Sequence, residues 1–438
     1  MHFRASDVAA ATGGTLVGPD VDLDSASFDT RSLLPGQLFV AIVAERDGHH
    51  FVGPARVAGA RACLVERLHD GGDDSASPAT SIVVPDTSAA LLELGRWGRD
   101  QLAATVVGVT GSVGKTSTKD LAFAALSAGR RTAANVRSFN NDQGLPVTIL
   151  GAPDDTEALV LEMGMRGPGQ IARLCSVGRP DIGIVTRVAA AHTELLGGIA
   201  GVAAAKAELV EALPPTGTAI LNADDPLVAA MAVKSAGSVL TFGRHDSADV
   251  RILELWLDDL ARSRFVLATP WGSAQVALAV SGEHMAANAA AAVAAACVCG
   301  VDLHAAANAL ATATLSPWRM EIGRSTAGTI VINDAYNANP ASMRAALETL
   351  AHLRVSGRRV ALLGVMAELA DPVTDHAEIA AIAADAGIEL VAVGTDLYGV
   401  PPVDDPSAIV ASLAGDDALL IKASRVAGLE RIARLVLG

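Results

Sequence analysis

The stretch from Gly108 to Asp120 reads GVTGSVGKTSTKD and carries the residue types that hold a chain of phosphates. Its core, Gly111 to Thr116, departs from the strict phosphate-loop pattern G-x-x-x-x-G-K-[ST]. That pattern needs a glycine at position 109, where Val109 stands, and Gly108 is one residue too far away. The chemistry on offer is nonetheless that of a nucleotide cradle. Lys115 presents a point charge to terminal phosphates, and the Thr116 hydroxyl is an oxygen donor suited to Mg2+.

Two elements must position this loop. Before it, ATVVGVT reads as a buried strand. After it, Thr116 to Ala128 reads as a helix: Leu121 and Ala125, and Ala122 and Leu126, stand four apart, and Gly129 is placed to end the helix. The loop therefore joins a strand end to a helix N-terminus, where free backbone N–H groups and the helix dipole favour anions. The alternative is a Gly-rich turn with a surface lysine.

The surrounding chain has 438 residues, which at about 150 per domain suggests three domains. With 51% hydrophobic and 18% charged residues, disorder is not expected. A net charge of −15 argues against a nucleic-acid partner, because phosphate backbones demand clustered Lys and Arg. Cys63, Cys175, Cys297 and Cys299 are scattered and complete no zinc pattern, so they read as structural cysteines. The apolar run from Met285 to Val301 is mostly alanine and includes Asn288, which fits a buried helix better than a membrane span. No signal peptide is read at the N-terminus, and a cytoplasmic location without a membrane partner is expected.

The fold class expected is α/β in three parts: a small α/β domain over 1–102, a central parallel-sheet phosphate-loop domain over 103–316, and a Rossmann-like α/β domain over 317–438. In the first part, GQLFVAIV and ACLVERL read as strands. A polar loop, GGDDSASP, precedes SIVV and a helix capped by Thr87 or Ser88. Candidate strands of the centre are TVVGVT, ALVLEMG, IGIVTRV, TAILNAD and SVLTFG. In the last part TIVINDAY, RRVALLGVM, IELVAVG and ALLIKAS alternate with helices that begin at Pro340 and surround His376.

The loop TGSVGKTS, Thr110 to Ser117, resembles that of the Mur ligases and is similar to that of folylpolyglutamate synthase. Further matches to the Mur ligases run along almost the whole chain. SFDTRSLLPGQLFVAIVAERDGHHF resembles the uridine-nucleotide-binding domain of the MurE and MurF types. The resemblance puts Ser27, Asp29, Thr30, Arg31, Asp47, Gly48 and His49 near a UDP-sugar; Ala44 replaces a usual glycine, and the loop to Asp47 is one residue short. SFNNDQGLPVTIL adds Asn140 and Asn141 to that substrate. Glu162 and His192 match the family's Mg2+ ligands, Lys206 its N-carbamoylated lysine, and His284 and Asn288 its ATP-binding motif. Arg319 falls near the γ-phosphate. INDAYNANPASM, with Asp334, Tyr336, Asn337 and Asn339, is spelled closest to the MurF type, and Lys422, Ser424 and Arg425 resemble that type too.

The resemblance implies a two-step ligation. ATP converts a peptide carboxylate into an acyl phosphate, and an amine then displaces phosphate. The substrates implied are UDP-N-acetylmuramoyl-tripeptide and D-Ala-D-Ala, handled by a monomer in peptidoglycan precursor synthesis. Lys115, Lys206, His192 and Arg319 would carry the chemistry, with ATP held by Thr110, Gly111, Ser112, Val113, Gly114, Lys115, Thr116, Ser117, His284, Asn288, Arg319, Asp334 and Asn337. Two Mg2+ ions would be held by Thr116, Glu162, His192 and a carbamoylated Lys206. Blander readings exist: Lys206 on a solvated helix face with Glu211, His192 as a turn histidine, Asn288 as a polar helix residue. Two departures bear on the amine substrate. Val365 stands where the MurF type has aspartate, and Trp318 where it has glycine. They leave room for a related ligase of another amine or carboxylate, and a nucleotide-binding subunit without ligase activity is a further alternative.

Overall fold

Strands with nearly continuous apolar runs need cover on both faces, and Ala62–Val65, Ala158–Glu162 and Ile182–Val185 of the parallel sheets are of this kind. The computed structural model describes residues 1–68, 80–136, 139–189 and 196–437. They form two compact units. One comprises Met1–Gly108, Arg130–Gly164 and Ile171–Asp181, the other Val109–Gly129, Met165–Gln170 and Ile182–Gly438.

In the first unit a five-stranded sheet runs in the order Thr15–Val17, Thr80–Val83, Ala62–Val65, Leu38–Val40, Ala26–Ser27. Only the Thr15–Val17 edge pairs antiparallel. Leu38–Val40 and Ala62–Val65 are buried throughout, and Phe39, Val52, Ala55, Cys63 and Val65 form the core beneath them. The helix Thr87–Gln101 follows. Its cap is Asp86, one residue ahead of the expected Thr87 or Ser88, because the Asp86 carboxylate accepts from Ser88 N at 2.8 Å and Ala89 N at 2.9 Å. Thr87 instead turns its hydroxyl inward to the Ala41 carbonyl at 2.9 Å. The polar loop GGDDSASP lies outside the described residues.

The second unit contains the parallel strands Ile182–Val185, Thr218–Asn222 and Ser238–Gly243. The chain after them forms Val250–Leu257, Arg262–Thr269 and Gly272–Ser281, paired antiparallel. The alanine-rich run is a helix, Met285–Val298, buried nearly all round and packed on the helix Lys115–Ser127. Among the described residues no helix is long and apolar enough to cross a membrane.

The last sheet, also in this unit, runs Glu321–Arg324, Ile330–Asp334, Ala418–Lys422, Arg359–Leu363, Glu389–Ala392. All but its first pair are parallel. Helices Pro340–His352, Pro372–Asp385 and Glu430–Leu437 accompany it. This is the expected open α/β sheet. Ligands of such sheets sit at the carboxyl ends of the strands, which here are Asp334, Leu363 and Lys422.

Candidate active site

The phosphate loop follows the strand Thr105–Thr110, and the helix Lys115–Ser127 begins with Gly114 as its cap. The helix starts and ends one residue earlier than the apolar spacing suggests, with Ala128 rather than Gly129 at its end. Both loop glycines are required. Gly111 has φ +151°, and a Cβ there would lie 1.9 Å from Thr186 Oγ1. Gly114 has φ +87°, and a Cβ would lie 2.7 Å from Asn288 Oδ1. The loop is stitched to the neighbouring strand end: Ser112 N donates to the Arg187 carbonyl at 2.6 Å, and Thr186 Oγ1 donates to the Val113 carbonyl at 2.6 Å. Val109, where the strict pattern wants glycine, is a fully buried strand residue. The missing glycine belongs to the sheet and leaves the turn intact.

Two cationic side chains meet the first turn of this helix, and a buried lysine lies within electrostatic reach of it. Lys115 Nζ folds back on the Gly111 carbonyl at 2.7 Å. Arg319 Nη2 donates to Thr116 Oγ1 at 3.2 Å, and Arg319 Nε is buried without a hydrogen-bond partner among the described residues. Lys206, on the helix Ile199–Glu211, is only 4% exposed and has no hydrogen-bond or ion-pair partner among the described residues. Burial, with the nearby Lys115 charge adding to it, holds its amine well below the ordinary lysine range. The solvated-face reading of Lys206 is therefore corrected. Glu211 turns away to pair with Lys234 at 2.6 Å, because residues five apart on a helix do not share a face.

Beside the loop opens a cavity of about 550 Å3. Gly114, His284 and Asn288 line it, as do Thr186, Asn222 and Asp225 at the carboxyl ends of successive strands. Its far wall is one face of the Pro340–His352 helix: Ala341, Ala345, Glu348, Thr349 and His352. The His284 pKa is pushed down from 6.5 to about 4, first by desolvation, with Asp334 opposing and Lys422 and Arg187 adding to it. Sequence reasoning missed the strand-end residues. The signal was present in VTRV and NADDP, where polar residues follow buried strands of an open sheet. Asn222 Nδ2 donates to the Thr186 carbonyl at 2.7 Å, and Asp225 accepts from Val188 N at 2.8 Å.

Asp334, expected at a ribose, directs one oxygen to Lys422 and accepts from Met320 N with the other at 3.1 Å. Lys422 also donates to the Asn337 carbonyl at 3.0 Å. Asn339 caps the Pro340 helix, accepting from Ser342 N at 2.9 Å. Trp318, in place of glycine, keeps a left-handed backbone at φ +63°, a strain of ~1–3 kcal/mol. Val365 lies in a braced loop. Tyr398 donates to the Gly364 carbonyl at 2.8 Å, His376 Nε2 accepts from Met366 N at 2.9 Å, and Ser424 N donates to the Val365 carbonyl at 2.9 Å.

In the first unit Glu162 is buried at a strand end. Oε1 accepts from Asn140 Nδ2 at 2.7 Å, and Oε2 has no partner among the described residues. Asn141 Oδ1 accepts from the backbone N–H of Gly144, the first residue of the next helix, at 2.9 Å. Asp29 pairs with the exposed Arg31 at 2.6 Å, and the Asp29 N–H donates to Ser27 Oγ at 3.2 Å. Asp47 accepts from His49 N at 2.9 Å and pairs with Arg67, which holds its carboxyl well below the usual carboxylate range. His49 is buried, with Nδ1 2.6 Å from Asp47 and Nε2 accepting from Glu66 N at 2.9 Å. At Gly48 a Cβ would lie 2.5 Å from the Ile42 carbonyl oxygen. His192 lies outside the described residues.

Residues 109–296 match the model of the Mur ligase middle domain, and 318–436 that of the Mur ligase glutamate ligase domain. A UDP-N-acetylmuramoyl-tripeptide–D-alanyl-D-alanine ligase of Mycobacterium tuberculosis is 37% identical, covering 93% of this chain and 91% of the relative. The protein of that name from Escherichia coli is 35% identical over 98% and 97%. A crystal structure of MurF from Acinetobacter baumannii superposes with a TM-score of 0.87 at 28% identity, covering 100% and 99% of the two chains. MurF from Thermotoga maritima, solved in complex with ADP, gives 0.79 at 26% identity over 94% and 96%. With a phosphate loop of the variant spelling, the strand-end cavity beside it and this similarity from end to end, the chain belongs to the Mur ligase family, in its MurF branch.

Proposed function

We propose that this chain is an ATP-dependent amide ligase that joins D-Ala-D-Ala to UDP-N-acetylmuramoyl-tripeptide in the cytoplasm, as a step of peptidoglycan precursor synthesis. The observation that carries the reading is the placement of Lys115 and Arg319 at the first turn of the phosphate-loop helix, with the buried Lys206, which has no partner among the described residues, within electrostatic reach of Lys115. It occurs in a chain similar along its length to ligases of that name. In the first step a carboxylate oxygen of the tripeptide attacks the γ-phosphorus, the bond to the bridging oxygen breaks, and ADP leaves. In the second the dipeptide amine attacks the acyl carbonyl, the bond to phosphate breaks, and the amine sheds a proton. Both steps gather negative charge, which fixed cations and backbone N–H groups stabilise.

The roles follow from the chemistry of each side chain. The N–H groups of Gly111 to Ser117, with Lys115 and Arg319, hold the phosphates. His284, neutral because its pKa is depressed, and Asn288 hold the base, and Asp334 and Asn337 stand on the ribose side. Ser27, Asp29, Thr30, Arg31, Asp47, Gly48 and His49, together with Asn140 and Asn141, hold the UDP-substrate. The buried Glu162 oxygen, which has no partner among the described residues, and the Thr116 hydroxyl are oxygen donors of the kind Mg2+ selects, and His192 completes the set implied by the family. Mg2+, when bound, neutralises phosphate charge. Lys206, as a neutral amine, can add CO2 and lose a proton to become a carbamate, which supplies the anion that a second Mg2+ would need. The three-domain division at 102/103 and 316/317 corresponds to UDP-substrate, ATP and ligation domains.

The test is direct. With ATP, the UDP-tripeptide and D-Ala-D-Ala, mass spectrometry finds the UDP-pentapeptide and ADP in equal amounts. No amide product from this pair overturns the reading.

A further inference from the structure

Five side chains of the second unit form an alternating stack of cations and rings. The Arg319 guanidinium lies 4.1 Å from the centre of the Tyr336 ring, and Arg425 lies 5.6 Å from the same ring. Arg425 also lies 5.3 Å from the Trp318 ring, and Arg434 lies 5.4 Å from it. Among the described residues none of the three guanidiniums is paired with a carboxylate, in a chain whose net charge is −15. Stacking on aromatic faces holds a guanidinium in place while leaving its N–H edge free for a planar anion. Arg425 and Arg434 are exposed. The stack stands where Asp334 and Lys422 end their strands, the ligand-binding edge of an open parallel sheet.

One end of the stack is already occupied in the reaction, because Arg319 touches Thr116 of the phosphate loop. The other end is not. Trp318 holds it there at the cost of a left-handed backbone, at a position that would be unstrained with glycine. A residue held in this strained conformation invites a reason, and its ring is what both outer arginines share. We propose that the Arg425–Trp318–Arg434 end of this stack is the subsite for the terminal carboxylate of the amine co-substrate, with Trp318 setting its spacing from the γ-phosphate at Arg319. A dipeptide spans about 7 Å, so a clamp on its carboxylate places its amine at a fixed distance from the acyl phosphate. The inference rests on the ligase reading and adds the group that the second substrate must carry.

The experiment compares D-Ala-D-Ala with its C-terminal amide, in ADP-release assays on wild type, Arg425→Gln, Arg425→Lys, Arg434→Gln and Trp318→Gly. In wild type, kcat/KM for the acid exceeds that for the amide at least tenfold. In Arg425→Gln, KM for the acid rises at least tenfold, the amide is little affected, and KM for ATP and for the UDP-tripeptide moves less than twofold. Arg425→Lys recovers part of the preference, while Arg434→Gln and Trp318→Gly each reduce it several-fold. Equal loss on acid and amide in Arg425→Gln, or no acid preference in wild type, overturns the subsite. If wild type ignores D-Ala-D-Ala but turns over another amino acid or dipeptide, the ligase assignment falls. The subsite is then decided by the acid–amide comparison on that amine.

Discussion

Burying an ammonium without a partner costs several kcal/mol, so a lysine held in the core gives up its proton instead. Lys206 is in that position: burial holds its amine well below the ordinary lysine range, which favours the unprotonated form that CO2 requires. Replacing it tests this in two directions at once. Lys206→Met should abolish ligation yet raise the thermal midpoint, since a desolvated amine worth ~1–3 kcal/mol of destabilisation is removed. Wild-type turnover should fall in CO2-free buffer and return with bicarbonate. Full activity in Lys206→Met would remove the lysine from the chemistry. Gly114 tests the loop. Gly114→Ala forces a Cβ on Asn288 at φ +87° and should raise KM for ATP at least tenfold. Gly13→Ala, at φ +65° with nothing within 4 Å, should cost ~1 kcal/mol in stability and leave KM unchanged. At this scale the sequence was readable where spelling carries chemistry, as at Lys115 and Thr116. Only the bland alternative for Lys206, a solvated helix face, fails, because residue type and neighbours along the chain do not reveal burial.

Elements were legible where their periodicity was strong. The strand before the loop, the helix after it and the alanine-rich helix all stand within a few residues of where apolar spacing puts them. Boundaries slipped where a side chain could cap in more than one way, as at Asp86. The cavity wall from the Pro340–His352 helix was not legible, because it is made by elements far apart in sequence. The Lys422–Asp334 pair shows how elements are locked: it joins the ends of two neighbouring parallel strands, with both groups nearly fully buried. Lys422→Met should therefore destabilise by ~3–5 kcal/mol by leaving a buried carboxylate unpaired. Lys422→Met with Asp334→Leu should recover most of that loss in denaturant melts. A double variant as unstable as the single one would mean that the pair contributes more than mutual charge compensation.

Across the whole molecule the α/β class with parallel sheets follows from continuous apolar strands alternating with helices, and the similarity to solved MurF structures agrees with it. Ionisation at one site also reaches stability. His284 has a folded pKa of about 4 against 6.5 unfolded, so between these values the unfolded chain binds more protons. Stability then rises with pH through that window and is lost as pH falls through it. Thermal melts of His284→Gln should show a shallower slope from pH 6.5 to about 4 than wild type. An unchanged slope would place the proton uptake elsewhere. The central claim, that this chain spends ATP to join one particular acid to one particular amine, is tested most directly by coupled ADP release with single-substrate omissions. The account predicts sustained ADP release only when UDP-N-acetylmuramoyl-tripeptide and D-Ala-D-Ala are both present, and none from Lys206→Met. Sustained release with either substrate omitted, or none with both while another amine drives turnover, would contradict it.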